Sequence, residues 1–595
     1  MRPAFPILLF LFLAFRPAPS QTVRCGTAQW FQYLHQHKGA RAGGAAKTAV
    51  VAAPAFRTLE TDHFSLHYSL RGIHRIKTTP ADSLLLHLLD SLYVSVSGMP
   101  TDSRDAAVIA ALDAISAPQP VFAATMADFF EKARDYYVTH LGMKAPRIAV
   151  PSNFYRAPAP PLGKYAVDIV DVYRAAKDGP AQFSDVDPKT YALTFPPSGG
   201  GMLIENDFLF NTTLDPTGNL PMGDTLKSCY PTICENGGTV IRDYGVEWEA
   251  GLKVTCFHEF YHAVQFTYTP EPDDFHVWYE TGAVGMEERN APEVNDYLQY
   301  LPGFFRNLSR VSMFDYPVLS TDSWYGNGIF HLYLTRTLGE DFDVGVWARL
   351  EANGNDIRDA LPNQFMAHGK TVGQVYSGFA AQLAFSGRTE PAPFPLFSPD
   401  MPLWPRLQTQ SADLAAATDA TTQAQPPLTI SALRLAGLGA THKGLFLEDP
   451  NLVPVLAKLG ADSSRVEFPD ASPFPFGPSD SAGRETLLIL ANASLTKTNQ
   501  AQFRIFQSLA SQTLFAYPNP FARAASAGPL FFSHGSAAVA ISIYSEDGRP
   551  VRKLDFTPEA PLWSWDLKDE TGKPAEAGLY YYKSEGRLLS PLVLQ

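Results

Sequence analysis

The pentapeptide His258-Glu259-Phe260-Tyr261-His262 constrains this chain more than any other stretch. It spells H-E-x-x-H inside a segment that predicts a helix from about Glu249 to Tyr268. Residues four apart on a helix lie one turn apart on one face, so both imidazoles point the same way. Two imidazoles so placed can grip one Zn²⁺, and the glutamate beside the first can serve as general base. The motif therefore demands a helix locally and a further ligand from elsewhere in the fold.

A catalytic zinc takes three protein ligands and keeps one position for water. One known arrangement, H-E-x-x-H-x-x-G-x-x-H, is excluded because Gln265 and Tyr268 occupy its glycine and last histidine places. Glu280 follows His262 by 18 positions, within Trp278-Tyr279-Glu280-Thr281-Gly282-Ala283. It opens a second helical segment, Glu280 to Arg289, with Val284 and Glu287 at helical spacing. Glu280 is the favoured third ligand, because its place resembles that of the glutamate that gluzincins supply from the next helix, some twenty residues on. Glu287, two turns along the same face, suits a partner that orients a histidine. His276 is nearer but sits in an acidic loop.

The residue types assign roles. Zn²⁺ lowers the pKa of its bound water towards ~7 and polarises a carbonyl. Glu259 would take a proton from that water and return it to the leaving group. Tyr325, at the head of a helical segment in Tyr325-Gly326-Asn327-Gly328-Ile329-Phe330, is the candidate oxyanion donor. An ordinary packing tyrosine is the competing explanation of Tyr325.

The rest of the chain sets the context. At 595 residues it exceeds one core, and three or four domains are expected. With 45% hydrophobic and 18% charged residues the composition is that of a soluble globular protein, and 49 prolines with 42 glycines point to many turns. A formal charge of −13 argues against nucleic acid or an anionic membrane as partner. Arg2, the apolar run Ile7 to Phe15 and Ala18-Pro19-Ser20 before Gln21 resemble a secretory signal, despite Arg16 beside the run. The run is too short to span a bilayer, and no other stretch is long and apolar enough. Residues 1–20 are thus expected to be removed, giving an exported, soluble or surface-held protein. Cys25 lacks the small-residue context of a lipid-attachment site. Cys229 and Cys234 could close a short disulfide loop, though four cysteines allow three pairings. Cys256, in the motif helix, reads as a small buried hydrophobe.

Along the chain, 21–58 is a variable lead-in and 59–395 reads as one α+β domain. Phe64, Leu66 and Tyr68 alternate as a strand. Phe122 to Leu141 predicts a helix stopped by Gly142. Arg147 to Val150, Tyr165 to Val172 and Met202 to Ile204 predict strands, and Gly326 to Leu338 a helix. Prolines and Ser/Thr/Gln/Ala-rich stretches then lead into a β-rich accessory domain, 396–510. From 511 to 595 the chain reads as a small all-β module with a hairpin turn at Glu546-Asp547-Gly548-Arg549.

His258, Glu259, His262 and Glu280 match the ligand and base positions of gluzincin metallopeptidases, the thermolysin and aminopeptidase N kind, which the chain resembles here. Tyr325-Gly-Asn-Gly resembles the aminopeptidase pattern Tyr-x-Lys-Gly, without its lysine. His63-Phe-Ser-Leu-His-Tyr68, His258 to Gln265 and Glu280 to Glu288 look like a little-studied group of bacterial secreted metallopeptidases, over about 60–390. The resemblance implies a zincin-like catalytic fold, a Zn²⁺ cofactor and a protein or peptide substrate. Gly201-Met202-Leu203-Ile204-Glu205-Asn206 matches the aminopeptidase Gly-x-Met-Glu-Asn edge strand only loosely, so exopeptidase activity does not carry over and an endopeptidase is expected. The thermolysin aspartate four residues after the glutamate ligand is Val284 here. Pro518-Asn-Pro-Phe521, Ile543-Tyr544, Asp547-Gly-Arg549, Trp565-Asp566 and Ala577-Gly-Leu-Tyr-Tyr581 resemble FlgD-like immunoglobulin-type domains. Such domains end exported bacterial proteins, which implies sorting or surface contact rather than chemistry.

Two other functions compete with a secreted zinc endopeptidase. One is a surface-binding protein with a vestigial peptidase domain, against which the intact Glu259 argues. The other is a zinc hydrolase of a non-peptide bond. Calcium sites at Glu271, Asp273 and Asp274 are conceivable, but such acidic runs are usually solvated.

Overall fold

The computed structural model describes Cys25, Thr27, 56–146, 163–178, 186, 190–196, 201–209, 227–229, 241–269, 277–314, 321–413, 420–436, 443–447, 451–469, 474–476, 485–507, 516–517, 519, 521, 529–532, 539–557, 563–584 and 590–595. The export signal, the strand at 147–150, Cys234, the acidic loop residues and His276 lie outside these residues. Two compact units are present. One comprises Met1–Ser228, Ile241–Phe275 and Gly282–Asp296; the other comprises Cys229–Val240, His276–Thr281 and Tyr297–Gln595.

The first unit is built on a five-stranded sheet of β1 (Phe56–Glu60), β2 (Phe64–Ser69), β3 (Tyr165–Val170), β4 (Ala192–Thr194) and β5 (Met202–Glu205). Its order is β1-β2-β3-β5-β4. β2, β3 and β5 are parallel, with Leu66 opposite Val167 and Val167 opposite Met202. β1 and β4 close the two edges in the antiparallel sense. The alternation of Phe64, Leu66 and Tyr68 predicts one apolar face, yet all six residues of β2 are buried. Parallel strands are usually covered on both faces. The polar face is closed by pairing: His67 Nδ1 lies 2.9 Å from Asp168 Oδ1, and the Ser65 hydroxyl donates to Glu60.

Local chemistry sets the element ends. The strand expected to reach Val172 stops at Val170, because Asp171 accepts the Arg174 N–H at 2.9 Å and starts a helix at Val172. A Cβ on Gly201 would lie 2.0 Å from the Ala166 carbonyl oxygen, so only glycine lets β5 enter beside β3.

Helices α1 (Ser83–Ser95), α2 (Thr101–Ala114) and α3 (Val121–Arg134) follow β2. α3 buries Phe122, Met126, Phe130 and Ala133 on one stripe and packs on β1 and β2. It continues as one π-helical turn to His140, and Gly142 at φ +71° ends it, as its sequence position predicts.

Two further helices carry the candidate site residues. They are labelled here after the short helix α4 (Val172–Asp178): α5 (Trp248–Tyr268) and α6 (Trp278–Asn290). α5 is buried over nearly its whole length and packs against α3 and β4. A helix buried on every side lies at the centre of its unit rather than on its surface, so the polar side chains it carries there need partners.

The second unit begins with helices, among them Thr321–Gly326, Gly328–Leu338, Phe342–Ala352 and Val372–Leu383. Val372–Leu383 packs on strands Leu452–Leu459 and Glu485–Asn492, the antiparallel centre of a five-stranded sheet. The C-terminal stretch forms a three-stranded and a four-stranded sheet around Phe532, Ile541, Trp563, Trp565 and Tyr582. The expected turn is present, with Gly548 at φ +80°. Helices with a mixed sheet, followed by separate β-sheets, are the architecture of the described residues. No helix among them is long and apolar enough to cross a membrane.

Candidate metal centre

One turn of α5 sets the two motif histidines side by side. Their ring centroids are 4.7 Å apart, and the Nε2 atoms face each other at 3.0 Å. Each Nδ1 is held by an oxygen. His258 Nδ1 pairs with Glu287 Oε1, and His262 Nδ1 lies 2.6 Å from Gln265 Oε1. A carboxylate and an amide oxygen are acceptors, so these partners favour the tautomer with the proton on each Nδ1. Both Nε2 atoms are then left with lone pairs aimed at one another. Two lone pairs at that distance repel unless a cation lies between them. Tetrahedral ligands at ~2.0–2.1 Å from Zn²⁺ stand about 3.4 Å apart, close to the spacing seen here.

Glu280 joins them. It lies in the first turn of α6. Ligand atoms of Cys25, His258, His262 and Glu280 all lie within 4.8 Å of one another, and all four residues are buried. Glu259, Glu280 and Glu287 are also 6% exposed or less. Burying three carboxylates is costly unless hydrogen bonds and positive charge offset it. A divalent cation on the Nε2 atoms and Glu280 would supply that charge. The donor set, two neutral imidazoles with a carboxylate and a thiol in reach, suits zinc.

Glu259 points elsewhere than its histidine neighbours. Its Oε2 accepts from the Thr194 hydroxyl at 2.5 Å, and the same hydroxyl lies 3.1 Å from its carbonyl oxygen. Thr194 ends β4, so the edge of the sheet fixes the candidate base. Burial, and then the charge of Glu259, push the phenol of Tyr165 and the thiol of Cys256 above their ordinary values. A small pocket touches Cys25, Tyr191, Thr255, His258, Glu259 and Glu287.

The sequence-predicted residues are distributed as follows. His258, His262 and Glu280 come together. Glu287 holds His258, the orienting role its spacing suggests. Cys256 is fully buried, as a small hydrophobe would be. Tyr325 is not at the head of a helix but is the next-to-last residue of helix Thr321–Gly326, outside the His258, His262 and Glu280 cluster, and lays its ring 4.7 Å from that of Tyr300. A Cβ on Gly326 would lie 2.5 Å from Phe304 Cβ, so close packing accounts for this glycine of the Tyr-Gly-Asn-Gly run. Glu205 is not on an edge strand: β5 lies between β3 and β4. Its carboxyl is pushed well above the usual carboxylate range by burial and by Asp171 and Asp207.

Three residues of the site were missed from sequence. Gln265 carries a signal, since i+3 from His262 on a helix puts it in reach of the ring. Thr194 and Cys25 carry none, because 65 and more residues separate them from the motif.

No family model and no curated protein matches the sequence. Among solved structures, the chain is similar to PorZ, a bacterial surface component of the type-IX secretion system of Porphyromonas gingivalis. Identity is 14%, over 18% of this chain and 14% of that one, with a TM-score of 0.12. Dimeric latent PorU from Porphyromonas gingivalis matches at 10% identity over 30% of this chain and 20% of that one, TM-score 0.11. The extracellular region of zebrafish Gpr126/Adgrg6 matches at 10% over 31% of each, TM-score 0.12. The chain thus spans less than a third of the length of each. Scores this low carry no argument about fold or function.

Proposed function

We propose that this chain is an exported zinc metallopeptidase, most simply an endopeptidase, with a zincin-like domain followed by an immunoglobulin-type C-terminal module that serves sorting or surface contact. The observation that carries it is the facing Nε2 pair at 3.0 Å, with both Nδ1 atoms held and the Glu280 carboxylate in the same cluster. His258, His262 and Glu280 would hold Zn²⁺. When bound, the ion would acidify a water and polarise a carbonyl.

The protein's own groups supply the rest. Glu287 and Gln265 keep both imidazoles in the tautomer whose Nε2 is free of a proton. Glu259 accepts the proton of the attacking water and passes it to the leaving nitrogen, so that one carboxylate serves both halves of the reaction. The Thr194 hydroxyl fixes the rotamer of Glu259. Tyr325 remains the proposed oxyanion donor, on the resemblance of its run to Tyr-x-Lys-Gly. The β4 edge beside α5, held here by Cys25 and Thr27, is the strand an extended peptide would pair with in their place.

Metal analysis and peptide-library cleavage of two variants test this. Glu259→Gln is expected to keep zinc and lose cleavage, and Glu280→Ala to lose zinc. Undiminished turnover in Glu259→Gln would sink the mechanism. Full zinc occupancy in Glu280→Ala would sink the ligand set.

A further inference from the structure

The fourth member of the cluster comes from far outside the motif helices. Cys25 Sγ stands with the His258, His262 and Glu280 ligand atoms inside 4.8 Å, and Cys25 is 1% exposed. Its position is fixed by the sheet. Cys25 forms a parallel bridge with Ala192 of β4. Two residues on, the Thr27 hydroxyl receives the Thr194 N–H at 2.9 Å and donates to the Thr194 carbonyl at 3.3 Å. The Thr27 N–H in turn donates to Cys25 Sγ at 3.4 Å. An N–H donor at sulfur is a contact that suits a metal-bound thiolate.

We propose that Cys25 is a fourth ligand to the metal, held in the site at the β4 edge, and that it keeps the enzyme latent until its thiolate is displaced. The inference rests on the metallopeptidase reading above. Three protein ligands leave a catalytic zinc one position for water, and four close it. Cys25 and Thr27 occupy the outer edge of β4, the strand a peptide would pair with. Cys25 also lines the small pocket at His258 and Glu259, so it stands where an incoming group would approach them. Binding releases the thiol proton to solvent. Displacement returns one proton to sulfur and admits water in its place.

Latency then follows from populations. If the Cys25-bound form holds about nine molecules in ten, apparent catalytic efficiency is cut roughly tenfold. Cys25→Ala should therefore raise kcat/KM by about tenfold or more while three ligands retain zinc.

X-ray absorption of the zinc-loaded, full-length protein tests the ligand directly. A sulfur shell at ~2.3 Å is expected in the parent and should vanish in Cys25→Ala. A second readout needs no variant. Alkylation of Cys25, followed by peptide mass spectrometry, should be slow in the zinc-loaded protein and fast after chelation. A merely buried thiol would react equally slowly in both. Absence of the sulfur shell overturns the proposal and leaves the peptidase reading standing if the parent cleaves peptides. A sulfur shell with unchanged activity in Cys25→Ala overturns latency. Zinc with sulfur bound but no cleavage by parent or variant overturns both, and marks a closed structural site.

Discussion

Replacing Glu287 separates a carboxylate that orients a ligand from one that is a ligand. Glu287 stands two turns from Glu280 on the same helix, and its Oε1 meets His258 Nδ1 with both side chains less than a tenth exposed. A charge-assisted hydrogen bond in such surroundings is roughly twice as strong as a neutral one. It also selects the tautomer that leaves His258 Nε2 able to bind metal. Loss of such a partner weakens metal affinity by about 10- to 100-fold. At 1.36 kcal/mol per factor of ten, that is about 1.4 to 2.7 kcal/mol. Glu287→Gln keeps an acceptor oxygen without the charge and should sit near the lower end, and Glu287→Ala near the upper. Competition of the apo-protein against a chromophoric zinc chelator measures the difference, with near-ultraviolet circular dichroism confirming the fold. Affinity within twofold of the parent in Glu287→Ala would refute the orienting role. Complete loss of zinc would refute it in the other direction, by making Glu287 a ligand in its own right.

Other perturbations follow from the same geometry. Thr194→Val removes a hydrogen bond to a buried carboxylate, worth about 1.5–3 kcal/mol, and should lower kcat by roughly 10- to 100-fold with little change in KM; a matching rise in KM instead would show that Thr194 serves binding. Gly326→Ala should destabilise by about 1–3 kcal/mol through overpacking against Phe304, read as a lower denaturation midpoint, and an unchanged midpoint would contradict the packing. His74 is held neutral by burial, its pKa lowered from 6.5 to about 4. Between those values the unfolded chain binds the proton and the folded one does not, so stability is lost as pH falls from 6.5 towards 4, by up to about 1.4 kcal/mol per unit. His74→Asn keeps an acceptor for the Asp171 N–H, and it should flatten that part of the stability profile; an identical slope would dismiss the assignment.

What could be read from sequence was local. Helical spacing gave the shared face of His258 and His262, and the resemblance to gluzincins pointed to Glu280 on the next helix, which the fold brings to the histidines. Alternation found β2, the stop at Gly142 and the hairpin at Gly548 followed from left-handed backbone, and the β-rich tail followed from turn chemistry. Errors were also local. The end of β3 was overrun because Asp171 was not read as a helix cap. The burial of the polar side of β2 was not legible either, because a single sequence does not show that His67 will meet Asp168, 101 residues away.

The sequence by itself determined which side chains could share a helix face, because periodicity is a property of neighbouring residues. Only the tertiary structure decided what else enters the site. β4 brings Thr194 to Glu259 and docks Thr27 and Cys25. Those contacts depend on strand order and register, which bring residues far apart in the chain within hydrogen-bond distance. Nothing in the spacing of Cys25 pointed to a metal. The pairing with Ala192 puts its sulfur beside the two histidines.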